Sequence, residues 1–150
     1  RIKRLGTVRG VLHGEERTQA ERLAIGARRL ASAEERLQEL ERYRAEYARQ
    51  LDMRIGEGMN AMALRDYQTF LARLDDAIRQ QMQVRTRSAA DLELERARWQ
   101  DAAVRLKGVS TVMEKWQTEE RVAADRIAQG DTDERATQKA AKAATAAGET

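Results

Sequence analysis

A chain of 150 residues with 35% charged side chains, 4% aromatics, no proline and no cysteine has the length of one domain but little material for a thick core. The missing cysteine excludes a disulfide framework, a thiol nucleophile and a Cys-type zinc site, and the missing proline favours long helices over hairpin-rich folds. The net charge of +3 is too balanced for a strongly basic nucleic-acid binder, so composition points to an elongated all-α protein rather than a compact enzyme.

In chain order, residues 1–30 hold eight basic and three acidic side chains, with the basic ones scattered rather than clustered. Such a mildly electropositive start suits an acidic partner. The opening RIKRLGTVRGVLHGEE lacks the apolar core of a secretory signal, and the start at Arg1 implies an initiator methionine upstream. No apolar run is long enough to span a bilayer. Gly6, Gly10 and Gly14 repeat at GxxxG spacing among charged neighbours, which favours a loosened helix end over a membrane contact.

From about Gln19 to Leu51 the apolar residues step by three and four: Leu23, Ala27, Leu30, Ala33, Leu37, Leu40, Tyr47 and Leu51. The pattern breaks at RIGEGMN (54–60), where Gly56 and Gly58 permit the positive φ that a chain reversal needs. A first helix is therefore expected from the opening few residues to about Asp52, and a short connection makes the next helix antiparallel to it. The second series runs through Leu71, Leu74, Ile78, Met82, Ala89, Leu92, Trp99, Ala103, Leu106, Val109, Met113, Trp116, Ala123 and Ile127, interrupted by Arg85, Arg96 and Glu120. Both stripes have the two-in-seven width of a coiled-coil seam. Acidic residues precede arginines by three or four positions at Glu39–Arg42, Glu46–Arg49, Glu93–Arg96 and Asp101–Arg105, marking solvated faces.

The second helix is expected from about Ala63 to Gln129, with Gly108 a weak point inside it and Gly130 its stop. Asp131–Glu134 resembles a capping box, and the alanine-rich remainder predicts a short frayed helix or disordered tail. The expected organisation is thus a long antiparallel two-helix coiled-coil hairpin over 1–130, turning near 54–62, followed by a tail over 131–150.

Catalytic chemistry finds no support. His13 is the only histidine and has no cysteine or second histidine to share a metal or complete a triad. Gly56 and Gly58 are not followed by the Gly-Lys-Ser/Thr of a phosphate loop. No catalytic residue, metal site or cofactor is expected. The aromatics say more: Tyr43, Tyr47, Tyr67 and Phe70 all lie within about 15 residues of the turn, where a hairpin brings their segments side by side. Leu40, Tyr43 and Tyr47 form one series, and Phe70, Leu74 and Ala77 another, with Phe70 and Ala77 one position off the Leu71–Leu74–Ile78 seam. Both series cannot enter one two-helix seam, so part of this set is expected to stay exposed as a partner surface.

The same region holds Leu40-Glu-Arg-Tyr43-Arg-Ala-Glu46-Tyr47, Met53-Arg-Ile-Gly56-Glu-Gly58 and Tyr67-Gln68-Thr-Phe70, in that order. This series gives the chain a resemblance to the FliJ family of the bacterial flagellar type III export apparatus. Leu74-x-x-Ala77-Ile78-x-x-Gln81, Trp99 with Arg105-Leu106, and Asp133-Glu134-x-Ala136 extend it over most of the chain. It implies a hairpin similar to the central stalk of rotary ATPases. It also implies a non-enzymatic component that works with the export ATPase hexamer and its regulator, binds the cytosolic domain of the export-gate membrane protein, and handles export chaperones. The implied gate-binding positions are Leu40, Tyr43, Tyr47, Phe70, Leu74 and Ala77. Arg36 and Gln81 correspond to further family positions but differ there in residue type. The implied location is cytoplasmic, peripheral to the inner membrane at the flagellar base, without membrane insertion.

The alternatives are the equivalent stalk of a virulence type III secretion system, a nucleic-acid-binding coiled-coil arm, and a generic spacer. Aspartate and glutamate interleaved throughout argue against the nucleic-acid arm. A spacer would need no exposed aromatic cluster.

Overall fold

The computed structural model describes residues 1–148, and two helices account for nearly all of them: α1 (Ile2–Glu57) and α2 (Ala61–Gly148). They pack against each other as a helical hairpin. α1 ends where Gly58 takes a φ of +92°, a conformation that a residue with a Cβ rarely adopts, while its N–H bonds the Ile55 carbonyl at 3.2 Å. Asn60 then caps α2: its Oδ1 accepts the Ala63 N–H at 2.8 Å, and its backbone oxygen accepts the Leu64 N–H at 3.1 Å. Gly56 stays helical, so of the two glycines it is Gly58 that makes the reversal.

The chain divides into two compact units, Gly14–Ala103 and Arg1–His13 with Val104–Thr150. In the first unit the seam of α1 runs through the shielded positions 16, 19, 23, 26, 30, 33, 37, 40, 44, 47 and 51, an unbroken alternation of threes and fours. On α2 the same rule runs through the shielded positions 64, 67, 71, 74, 78, 81, 88, 92, 95, 99 and 102, with Arg85 exposed where the rule would place it in the seam. Ala33, Leu37, Leu51, Leu74, Leu92 and Ala102 are the buried side chains of this unit. Polar pairs cross the same interface. Gln81 Nε2 donates to the Ala33 carbonyl at 3.0 Å, and Trp99 Nε1 donates to Glu16 Oε1 at 2.9 Å.

Several seam positions fall one residue away from those the apolar pattern suggests. Gly26 takes the place expected for Ala27, Gln81 that of Met82, and Ala102, rather than Ala103, is the buried one; the polar interruption is Glu95 rather than Arg96. A coiled coil holds its seam to a period of 3.5, so register outranks the hydrophobicity of a single residue. At Gly26 a Cβ would lie 3.5 Å from Leu92 Cδ1 and 3.8 Å from Leu92 Cα, marking a close approach of the two backbones.

In the second unit Ile2, Leu5 and Leu12 of α1 and Leu106, Val109, Met113 and Trp116 of α2 are the shielded apolar residues. The Arg1 guanidinium lies 4.2 Å above the Trp116 ring and 3.4 Å from Glu119 Oε2. Every residue from 117 to 148 is exposed. Gly6 and Gly10 sit inside α1 rather than in a loosened end, and α2 passes Gly130 without a break. A glycine ends a helix by adopting positive φ, and Gly130 does not. The capping box at Asp131–Glu134 therefore lies within a continuous helix, and residues 149 and 150 of the expected tail lie outside the described residues.

Candidate partner-binding surface

Four rings gather beside the turn. Tyr47 is the hub, with its centroid 4.5 Å from Phe70, 4.8 Å from Tyr67 and 6.4 Å from Tyr43. Tyr43 meets Phe70 edge-on at 6.1 Å and an interplanar angle of 83°, a favoured geometry for ring quadrupoles. The Arg54 guanidinium carbon lies 5.5 Å from the centre of the Tyr67 ring on the turn side.

Coiled-coil register explains the grouping. Arg36, Tyr43, Phe70 and Ala77 each come immediately before a seam position, namely 37, 44, 71 and 78. In an antiparallel pair, residues at that place on both helices line one edge of the interface. Tyr43 is 51% exposed, Phe70 and Ala77 are half-buried, and Tyr47 fills the seam between them. Leu40, Tyr43 and Leu74 line a shallow groove with Arg36 and Glu39 at its rim. Arg36 bonds Glu39 at 3.5 Å within its own helix.

Of the six expected site residues, Tyr43, Tyr47 and Phe70 are in mutual ring contact, and Leu40, Tyr43 and Leu74 share the groove. Leu74, at 7% exposure, is part of the helix–helix core and serves as the groove's floor. Ala77 lies seven residues beyond Phe70 on the same edge. Gln81 turns inward to the Ala33 carbonyl, which gives it a structural task. The apolar pattern gave no weight to the ion pair beside the cluster, in which Arg44 Nε lies 2.7 Å from Asp75 Oδ1. Arginine at seam position 44 was the available signal, because a charge there needs a partner across the interface. The bond to Arg44 holds the Asp75 carboxyl below its usual range and raises Arg44 in turn. Burial, followed by the neighbouring Tyr67 and Tyr43 rings, pushes the Tyr47 hydroxyl up.

Nothing in this arrangement supplies a nucleophile beside a base. Among the described residues, no three His, Cys, Asp or Glu side chains gather as a metal ion would require. The surface offers aromatic area with few rotors, which is a means of binding.

The family model described as flagellar FliJ protein matches residues 2–145. The chain belongs to the FliJ family. No curated protein and no solved structure matches it. Membership makes it a component of flagellar type III protein export, in a family of structural export components, and fits a place at the flagellar base. No helix among the described residues is long and apolar enough to cross a membrane. The aromatic cluster near the turn coincides with the motifs that resemble the family.

Proposed function

We propose that this FliJ protein is the stalk and adaptor of the flagellar export ATPase ring, working with the hexamer and its regulator. In this reading it links the ring to the cytosolic domain of the export-gate membrane protein and to export chaperones, and hydrolyses nothing itself. It acts in the cytoplasm, peripheral to the inner membrane. The observation that carries the adaptor part is the ring cluster of Tyr43, Tyr47, Tyr67 and Phe70, with Tyr43 and Phe70 at the edge of the seam and Tyr43 half in solvent. Exposed aromatics anchored by their neighbours lose little rotamer freedom on binding, which is why such residues dominate interface energetics. Gate contact is assigned to Leu40, Tyr43, Tyr47, Phe70 and Ala77, with Leu74 beneath them.

The stalk part is supported by the exposed helix from 117 to 148 and the basic first 30 residues. A partner raises the population of an assembled ring only by binding it more tightly than it binds free subunits. The test is capture of purified export ATPase and of the gate cytosolic domain on immobilised protein. Retention of both supports the proposal, while retention of neither ends it. The equivalent role in a virulence secretion system is distinguished by repeating the capture with the ATPase and gate of that system.

A further inference from the structure

A second groove lies on the same edge of the Gly14–Ala103 unit, separate from the aromatic cluster. It is lined by Arg22, Ile25, Gly26, Arg29, Ser88 and Leu94, among others. Its seam residues Gly26 and Ser88 are small, and Leu92 packs against the Gly26 backbone beneath it. Ile25 and Leu94 flank the groove with 41% and 52% of their surfaces exposed, so it offers apolar area beside its charges.

The two walls differ in charge. Along α1 the edge positions Arg22, Arg29 and Arg36 repeat every seven residues, while the opposite edge of α1 carries Glu34 and Glu41. Arg22 and Arg29 have no ion pair among the described residues. On the α2 wall Arg98 is already held by Glu95 at 3.3 Å, and Asp91 stands beside it. Arg22 and Arg29 on one wall are thus free cations, Ile25 and Leu94 supply the apolar area, and the far wall carries Asp91 and the Arg98–Glu95 pair.

We propose that this groove seats an acidic amphipathic helix from a partner protein, packed as a third helix along the pair. A leucine-like side chain of the partner packs in the groove between Ile25 and Leu94, and carboxylates on one flank meet Arg22 and Arg29. Asp91 on the other wall repels the acidic flank and so fixes which way round the partner lies. The site is independent of the gate contact assigned to Tyr43 and Phe70.

The test uses two synthetic amphipathic helices of about 20 residues with the same leucine stripe, one flanked by glutamate and the other by lysine. Binding to the full chain is read by fluorescence anisotropy. The glutamate helix should bind at least about tenfold more tightly than the lysine helix. Combining Arg22→Glu with Arg29→Glu should reverse that preference, Leu94→Ala should weaken binding several-fold, and Phe70→Ala should leave it unchanged. All four positions are at least partly exposed, so circular dichroism melting of each variant guards against loss of fold. Equal affinity for the two helices, absence of binding, or loss of binding in Phe70→Ala would each overturn the proposal. So would concentration-dependent self-association of the chain that Leu94→Ala abolishes, because a second copy would then occupy the groove.

Discussion

Phe70 and Leu92 are both large apolar residues on α2, yet they occupy different places relative to the interface. Leu92 is 8% exposed in the seam, whereas Phe70 stands at its edge with one face toward Tyr47. Phe70→Ala should therefore weaken binding to the gate cytosolic domain by about 1–3 kcal/mol, as loss of an interface anchor does. Leu92→Ala should instead cost about 2 kcal/mol of stability and leave gate affinity intact in the folded fraction. Titration and melting on the same samples check both, and a Phe70→Ala protein losing stability in proportion to binding would make the cluster mere core. Tyr47→Ala should weaken gate binding by a similar ~1–3 kcal/mol and also cost stability, because its ring fills a seam position. The Arg44–Asp75 pair supplies a pH signature. The Asp75 carboxyl titrates below its unfolded range, so its contribution is complete above the ordinary aspartate pKa of about 3.9 and disappears as pH falls through the lowered folded value. Melting temperatures of the native protein and Asp75→Asn should converge across that acidic window and differ above it.

At the level of the helices, three glycines make opposite demands. Gly108 has open space around its would-be Cβ, so Gly108→Ala should raise stability by about 1 kcal/mol through helix propensity alone. Gly58 holds a φ of +92°, so Gly58→Ala should lower stability by about 1–2 kcal/mol despite equally open surroundings. Thermal melts of the two variants should move in opposite directions. Gly26 could not be assigned by the same reading, because its importance lies across the interface at Leu92. The two helices and the turn were legible because a narrow apolar stripe, an absence of proline and a Gly-x-Gly break leave few other solutions. The register was legible only to within one residue: Met82 looks more apolar than Gln81, and Ala103 no less apolar than Ala102, but the 3.5 period selects Gln81 and Ala102. Gln81 meets that demand by donating to a backbone carbonyl, a compensation invisible in a hydropathy pattern. The aromatic surface was visible as a concentration of rings near one turn. Its ion pair was not, because Arg44 and Asp75 are 31 residues apart along the chain.

For the molecule as a whole, the proposed tasks separate along the sequence: the gate contact lies beside the turn, and the ring contact is assigned to the basic N-terminal segment and the exposed end of α2. Removing the first 12 residues deletes Arg1 from its place over Trp116, with Ile2, Leu5 and Leu12, but leaves the aromatic cluster untouched. This truncation should reduce stimulation of ATP turnover by the cognate export ATPase more than it reduces gate binding, as read by phosphate release and by titration. Equal loss of both would show that the two tasks share one surface. The placement of the two tryptophans bears on a different question. Trp99 donates to Glu16 within one unit, and Trp116 lies under Arg1 in the other, so each unit has one indole touching the opposite helix. The protein thus contains two native optical probes of helix separation. With Trp99→Phe the remaining emission follows Trp116, and with Trp116→Phe it follows Trp99. Comparing the two melting curves would reveal whether the hairpin opens as one cooperative body or unzips from an end.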